Sequence, residues 1–300
     1  MENIIMNKIN LSEHAFNEYS QFGEDGIIDT ILSKICNKDR WCVEFGAWDG
    51  VHLSNTFNLI KNKEYNAVLI EADKKKFQDL KKNVSEYNVT AINQFVRFEG
   101  RETLDSILSG TSIPNNFDFL SIDIDGNDYW IFESLKSFRP KVICIEYNPS
   151  IPNEVEYIQD KDFTVKRGSS ALSICKLATE KNYHLVATTL TNLIFVDGVY
   201  YKNYDIEDNH LSKMRDDSSC KIYAFVGFDG SLIHSGLIRN YWHNIEIDSE
   251  EIQYLPKIIR MYPPDYNIFQ KLMYEAFLAL KRPNTVMKRL RTKLGSTHST

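Results

Sequence analysis

Trp41-Cys42-Val43-Glu44-Phe45 is an apolar run that breaks into a glycine-bounded turn, Gly46-Ala47-Trp48-Asp49-Gly50. A second apolar run, Ala67-Val68-Leu69-Ile70, ends in the acid Glu71. A buried strand entering such a turn must be followed by a crossover back to the sheet, and Gly46 and Glu71 lie 25 positions apart. Nucleotide-binding βαβ units place a ribose-binding acid roughly 20 residues beyond their glycine turn. The spacing therefore predicts a Rossmann-like unit with an adenosine-bearing ligand between the turn and the Glu71 carboxylate.

Strand and helix signals alternate from about residue 24 to residue 197. Ile27, Ile28, Ile31, Leu32 and Ile35 repeat at helical spacing before the strand 41–45, and Ser54 is placed to cap a helix carrying Phe57 and Ile60 before the strand 67–71. Phe77, Leu80 and Val84 mark a helix, 89–96 a strand, 104–108 a helix, 117–124 a strand, 129–135 a helix and 142–147 a strand. Ser169 or Ser170 then caps a helix through Lys181, before strands near 184–189 and 193–197. This rhythm predicts an α/β fold, a Rossmann-like, doubly wound and mostly parallel sheet. The last two strands are too close for a crossover helix, so they read as an antiparallel hairpin that gives the sheet an antiparallel edge strand.

Residues 1–200 are assigned to this sheet domain and 201–300 to a mixed C-terminal extension for acceptor selection or assembly. The extension contains a β-hairpin at 222–233 turning at Asp229-Gly230 and a helix over about 266–281. The end of the chain, Lys288-Arg289-Leu290-Arg291-Thr292-Lys293-Leu294, is basic and amphipathic. A solvated helix end and a peripheral contact with acidic lipid or a partner both stay open for it, as does self-association.

A net charge of −6 and a pI near 5.7 argue against a nucleic-acid partner, which needs a basic face. The five cysteines form no C-x-x-C pair and mostly sit in apolar runs, as expected of free thiols in a reducing cytoplasm. The first residues lack a basic region followed by a long apolar core, and no run approaches the ~20 apolar residues of a membrane span. A cytoplasmic protein is expected.

Gly46 and Gly50 let the backbone approach a ligand closely. Trp48 stands where a dinucleotide fingerprint has its middle glycine; a pyrophosphate would be crowded there, which favours S-adenosylmethionine over NAD. In Ser121-Ile122-Asp123-Ile124-Asp125-Gly126-Asn127-Asp128, three carboxylates gather where a strand meets its helix, beyond which parallel sheets bind ligands. Asp123 and Asp125 could orient an ammonium, act as a general base or hold a divalent cation, Asp125 being the first choice for the base or metal ligand, with Asp128 the best placed to be only a helix cap. Glu146, ending the next strand, is open to a supporting, metal-ligating or purely structural role. Before the first helix, in a segment whose Gly23 and Gly26 let the backbone fold tightly, Gln21, Glu24 and Asp25 offer polar groups to a ligand. The histidines show no zinc spacing, and there is no Walker loop or nucleophile elbow.

Together, Ser20–Gly26, Val43–Gly50, Leu69–Ala72, Leu120–Trp130 and Ile145–Pro149, with Gly168-Ser169-Ser170, resemble the FkbM-type S-adenosylmethionine-dependent methyltransferases over roughly residues 18–200. The resemblance implies O-methylation of a hydroxyl, often on a sugar or glycan precursor. By it, Glu44, Gly46 and Gly50 line the methionine side of the cofactor and Glu71 meets the ribose. Asp123 and Asp125 lie by the methionine amine, the acceptor and, in related metal-dependent enzymes, a magnesium ion. Two other classes remain: an NAD-dependent oxidoreductase, for which the third turn glycine and a Tyr-x-x-x-Lys pair are lacking, and a non-catalytic Rossmann-like scaffold in glycan assembly.

Overall fold

The computed structural model describes residues 11–284 and 287. The chain divides into two compact units, residues 1–218 and 219–300.

The first unit alternates strands and helices: α1 (Glu24–Ser33), β1 (Trp41–Phe45), α2 (Phe57–Lys63), β2 (Asn66–Glu71), α3 (Lys74–Asn83), β3 (Val89–Asn93), α4 (Leu104–Leu108), β4 (Phe119–Ile122), α5 (Asp128–Ser134), β5 (Val142–Glu146), α6 (Ala171–Glu180), β6 (Tyr183–Thr188), β7 (Asn192–Asp197) and α7 (Leu211–Met214). The seven strands form one sheet in the order β3-β2-β1-β4-β5-β7-β6. The pairs β2–β3, β1–β2, β1–β4 and β4–β5 are parallel, whereas β7 runs antiparallel to both its neighbours. The expected hairpin is thus present at the sheet's end, with its antiparallel strand one place in from the edge and β6 outermost.

Period-2 alternation divides each strand between two cores. Val43, Phe45, Val68, Ile70, Leu120, Ile122, Ile143 and Ile145 pack with residues of α4, α5 and α6. Cys42, Ala67, Leu69, Phe119, Val142 and Cys144 pack with residues of α1, α2 and α3. Helix starts follow local chemistry: Asp73 accepts the amides of Lys75 and Lys76, and Ser170 that of Ser173. Ser54 sits outside the first turn of α2, yet its hydroxyl accepts the amide of Phe57.

At the amino-terminal ends of the strands, the Lys141 ammonium is buried and donates to Asp118 Oδ1 (2.7 Å), Asp39 Oδ2 (2.6 Å) and the Asn37 carbonyl (2.5 Å). The same Asp118 carboxylate accepts the amides of Asp39 and Arg40. This network ties the α1–β1 connection to β4 and β5, at the end of the sheet away from the strands' carboxyl ends.

Residues 201–218 belong to the first unit. The Tyr204 hydroxyl donates to the Ile31 carbonyl, and Arg215 donates to the carbonyls of Pro149 and Ile151. The second unit holds the hairpin β8 (Tyr223–Val226) and β9 (Leu232–Ser235), the pair β10 (Ile238–Asn240) and β11 (Ile245–Ile247), and helix α8 (Ile268–Lys281), whose start Asn267 and Gln270 close with reciprocal hydrogen bonds. The basic stretch 288–294 lies outside the described residues.

Candidate functional site

Glu44, Leu69, Ser121 and Cys144 lie in one row across β2, β1, β4 and β5. Two residues further along, strand alternation brings Glu71, Asp123 and Glu146 to the same face at the carboxyl ends. Parallel sheets bind ligands at this edge.

Gly46 turns the chain out of β1 with φ +72°, and a Cβ there would lie 2.1 Å from the Asp123 carbonyl oxygen. Glycine is required because two backbone turns touch, which sets the turn after β1 against the acidic loop. Glu71, buried at the end of β2, accepts the Trp48 amide on Oε2 (2.8 Å) and the Asp73 amide on Oε1 (2.7 Å). These two bonds fix the carboxylate's plane and leave each oxygen a further lone pair.

Between these parts lies a cavity of about 130 Å³, walled by Phe45, Gly46, Glu71, Val96, Ile124 and Asn127, with Gln94, Phe95, Phe163 and Lys166 completing its rim. Buried Asn127 donates to the Asp162 carbonyl (3.3 Å), while its Oδ1 has no hydrogen-bond partner. A buried carbonyl oxygen without a donor, in the wall of a cavity, is positioned for a donor on a ligand. Phe163 packs edge-on to Phe95 and stacks on Phe98 with centroids 4.1 Å apart, closing one side.

One carboxylate oxygen from each of Asp123, Asp125 and Glu146 lies within 4.8 Å of the others. Burial, then the charges of Asp128 and Asp125, push the Asp123 carboxyl up to about 7. Burial, then the charges of Asp123, Asp128 and Asp125, push Glu146 up to about 10, and the two side chains are hydrogen-bonded. Acids this close ionise one at a time, so the pair holds one proton near neutrality. Asp125 is exposed, has φ +57° and pairs with the Lys166 ammonium at 3.4 Å. Asp128 is the first residue of α5 and accepts the amides of Ile124 and Gly126, both at 2.9 Å, so it braces the turn before the helix and does not cap it; the N-cap position is Asn127.

Several expected site residues are committed elsewhere. Glu44 accepts from the Ser54 hydroxyl (2.6 Å), the Thr56 hydroxyl (2.7 Å) and the Asn55 amide (2.9 Å), so its carboxylate holds the loop before α2 and is not part of the cavity wall. Burial raises its pKa against the lowering effect of those donors. A Cβ on Gly50 would meet side chains of Val84, Leu80 and Leu69, so this glycine serves the turn and the α3 core. Asp25 Oδ2 accepts the amides of residues 18–20, and Glu24 accepts from Thr189 and Asn192, which fastens α1 to the β6–β7 hairpin. Gln21 is exposed and outside the cavity wall. Trp48 also stays out of it: a φ of +51° turns the residue away, and its indole lies under the Lys76 ammonium, 4.0 Å from the ring centroid. The expected crowding by Trp48 is therefore absent.

The sequence reading missed Gln94, Phe95 and Val96, although they directly follow β3, where strand ends meet ligands. It also missed Asn127, Phe163 and Lys166. The last two come from the irregular segment between β5 and α6, which carries no periodic signal.

Residues 100–185 match the methyltransferase FkbM domain family. A comparison with curated proteins returns no match. Among solved structures, the chain is similar to a SAM dependent methyltransferase from Aquifex aeolicus, at 10% identity over 58% of this chain and 88% of that one, with a TM-score of 0.35. It is similar to an S-adenosylmethionine-dependent methyltransferase from Clostridium acetobutylicum, at 10% identity over 58% and 90% of the two chains, with a TM-score of 0.36. It is also similar to M. capricolum TrmK in complex with S-adenosyl-homocysteine, at 15% identity over 56% of this chain and 65% of that one, with a TM-score of 0.32. At these scores the likeness carries no argument about chemistry. The family segment contains Asp123, Asp125, Asn127, Glu146 and Lys166, and over it the chain is similar to the methyltransferase FkbM domain.

Proposed function

We propose that the protein transfers the methyl group of S-adenosylmethionine to a hydroxyl of a sugar, nucleotide-sugar or glycan precursor. The observation that carries this reading is the close approach of Gly46 to Asp123, which sets the cavity ending at Glu71 directly beside the proton-sharing acids. The cavity suits the cofactor: Glu71 offers paired acceptors for ribose hydroxyls, Asn127 Oδ1 an acceptor for an amine or hydroxyl, and Phe95 and Phe163 apolar walls for a base. The position of β7 departs from the 3-2-1-4-5-6 order of dinucleotide folds, which weighs against the NAD reading.

When bound, S-adenosylmethionine supplies an activated methyl on a sulfonium. The residues of this chain must then align the acceptor oxygen and take its proton. Asp123 is the better base. Its carboxyl, raised to about 7, is matched to neutral pH, and Glu146 supports it through their hydrogen bond. Asp125, exposed and paired with Lys166, sits where it can orient the acceptor. The oxygen set of Asp123, Asp125 and Glu146 also suits magnesium, which these three would hold and which would lower the acceptor hydroxyl's pKa.

The test is transfer of labelled methyl from S-adenosylmethionine to a panel of sugars, nucleotide-sugars and lipid-linked glycans, followed by alkali. Alkali-stable methyl on a sugar supports an ether product. Alkali-labile methyl would indicate a carboxyl acceptor and contradict the proposal.

A further inference from the structure

One buried amide holds the irregular segment between β5 and α6 in shape. Gln159 is 1% exposed. Its Nε2 donates to the Val165 carbonyl (3.1 Å), and its Oε1 accepts the amides of Arg167 and Gly168, both at 2.9 Å. Its own peptide groups are anchored as well: the carbonyl accepts the Trp130 indole N–H (2.9 Å), and the amide donates to the Ser169 hydroxyl (3.3 Å). A buried side-chain amide costs free energy unless its donors and acceptors are paired, and here the three partners are all peptide groups of one loop.

The groups that this loop gives to the cavity lie inside the span that Gln159 closes. Phe163 and Lys166 line the cavity, and the Asp162 carbonyl accepts the Asn127 side-chain N–H, which leaves Asn127 Oδ1 as an unpartnered acceptor in the wall. Lys166 stands between Val165 and Arg167, so both peptide groups that flank it are bonded to the Gln159 amide. Stacking on Phe98 holds the Phe163 ring, whereas the chain on either side of Lys166 is held by Gln159. Gly126, beside Asp125, closes over the same amide: a Cβ there would lie 2.7 Å from Gln159 Oε1 and 3.3 Å from the Lys166 Cα. The loops after β4 and β5 therefore meet at this side chain.

We propose that Gln159 is a positioning residue for the cofactor cavity, acting on the ligand through Phe163, Lys166 and Asn127 while standing outside the wall itself. This rests on the reading of the cavity as the S-adenosylmethionine site. A purely structural role for Gln159 would cost stability alone. A positioning role also costs affinity, and that loss runs through the groups it places.

Calorimetric binding of S-adenosylhomocysteine is compared in the full-length wild type, Gln159→Met, Phe163→Ala and the double variant, each below its measured unfolding transition. Methionine keeps the volume and removes all three side-chain bonds. Gln159→Met should bind at least about tenfold more weakly, because misplaced wall groups no longer meet the ligand. In the double variant the two losses should fall short of their product, since Phe163→Ala has already removed one group through which Gln159 acts. Trp130→Phe removes only the indole bond to the Gln159 carbonyl, from outside the cavity wall. It should weaken binding less but in the same direction, and it decides the matter if Gln159→Met does not fold. Wild-type affinity in Gln159→Met and Trp130→Phe, or losses that multiply in the double variant, would overturn the proposal and leave Gln159 purely structural. Absence of binding by the wild type would overturn the cofactor reading itself, and the proposal with it. That failure is distinct from wild-type binding that the variants leave unchanged.

Discussion

A Cβ on Gly46 would lie 2.1 Å from the carbonyl oxygen of Asp123, so the turn after β1 and the loop that carries the acids are in backbone contact. The partner is backbone and cannot step aside, and the φ of +72° adds its own penalty for any other residue. Gly46→Ala should lower the unfolding temperature and weaken S-adenosylhomocysteine binding together. Gly50→Ala meets only side chains, at 3.1 Å and beyond, and should cost about 1–2 kcal/mol from its positive φ with little change in affinity. Thermal unfolding and calorimetry on the two variants separate them; equal effects on affinity would contradict this division of roles.

Because Asp123 must be ionised to accept a proton, kcat should rise with pH through about 7. Asp123→Asn should lower kcat by about 10²–10⁴. Asp125→Asn should lower it by about tenfold or less and leave cofactor affinity intact, since its role is orientation. Chelation of divalent cations should leave turnover unchanged, because a shared proton and the Lys166 ammonium already offset the cluster's charge. Loss of activity with chelator and its return with magnesium would move the chemistry to a metal held by the same acids.

The same acids predict how stability depends on pH. The folded-state pKa values of Asp123 and Glu146, about 7 and about 10, exceed the ~3.9 and ~4.3 of an unfolded chain. The folded state thus holds these protons more tightly. Their stabilising contribution is complete below about pH 4, declines as pH rises through 7 for Asp123, and for Glu146 continues to decline towards 10. Unfolding temperatures between pH 6 and 9 should therefore fall less steeply in Glu146→Gln than in the wild type.

Lys141 makes a prediction remote from the site. Its ammonium is buried against Asp118 and Asp39, and Lys141→Met would leave the buried Asp118 charge without its partner. A loss of about 3–5 kcal/mol in unfolding free energy is expected, with the affinity of the remaining folded protein for S-adenosylhomocysteine unchanged. Denaturant unfolding checks the first part and calorimetry the second.

Strand ends were the legible part of the site. Glu71, Asp123 and Glu146 each close an apolar run, and alternation along β2, β4 and β5 brings them to one face. What strand position could not show was which acids are already taken. Glu44 closes its run equally well, but Ser54, Asn55 and Thr56 supply donors from the next loop; Glu24 and Asp25 are likewise occupied by donors close to them in space. Trp48, at a positive φ, lies outside the cavity wall with its ring under the Lys76 ammonium, which its place in the turn does not foretell. Phe163 and Lys166 reach the site from a segment with neither helical nor strand period, so only the folded chain brings them there.

Calorimetric titration reads out whether an adenosine-bearing sulfonium cofactor sits between Gly46 and Glu71. S-adenosylhomocysteine should bind the wild type and NAD should not. Glu71→Ala should weaken that binding by about 1.5–3 kcal/mol for each ribose bond lost. Binding of NAD in place of S-adenosylhomocysteine, or wild-type affinity in Glu71→Ala, would contradict the account.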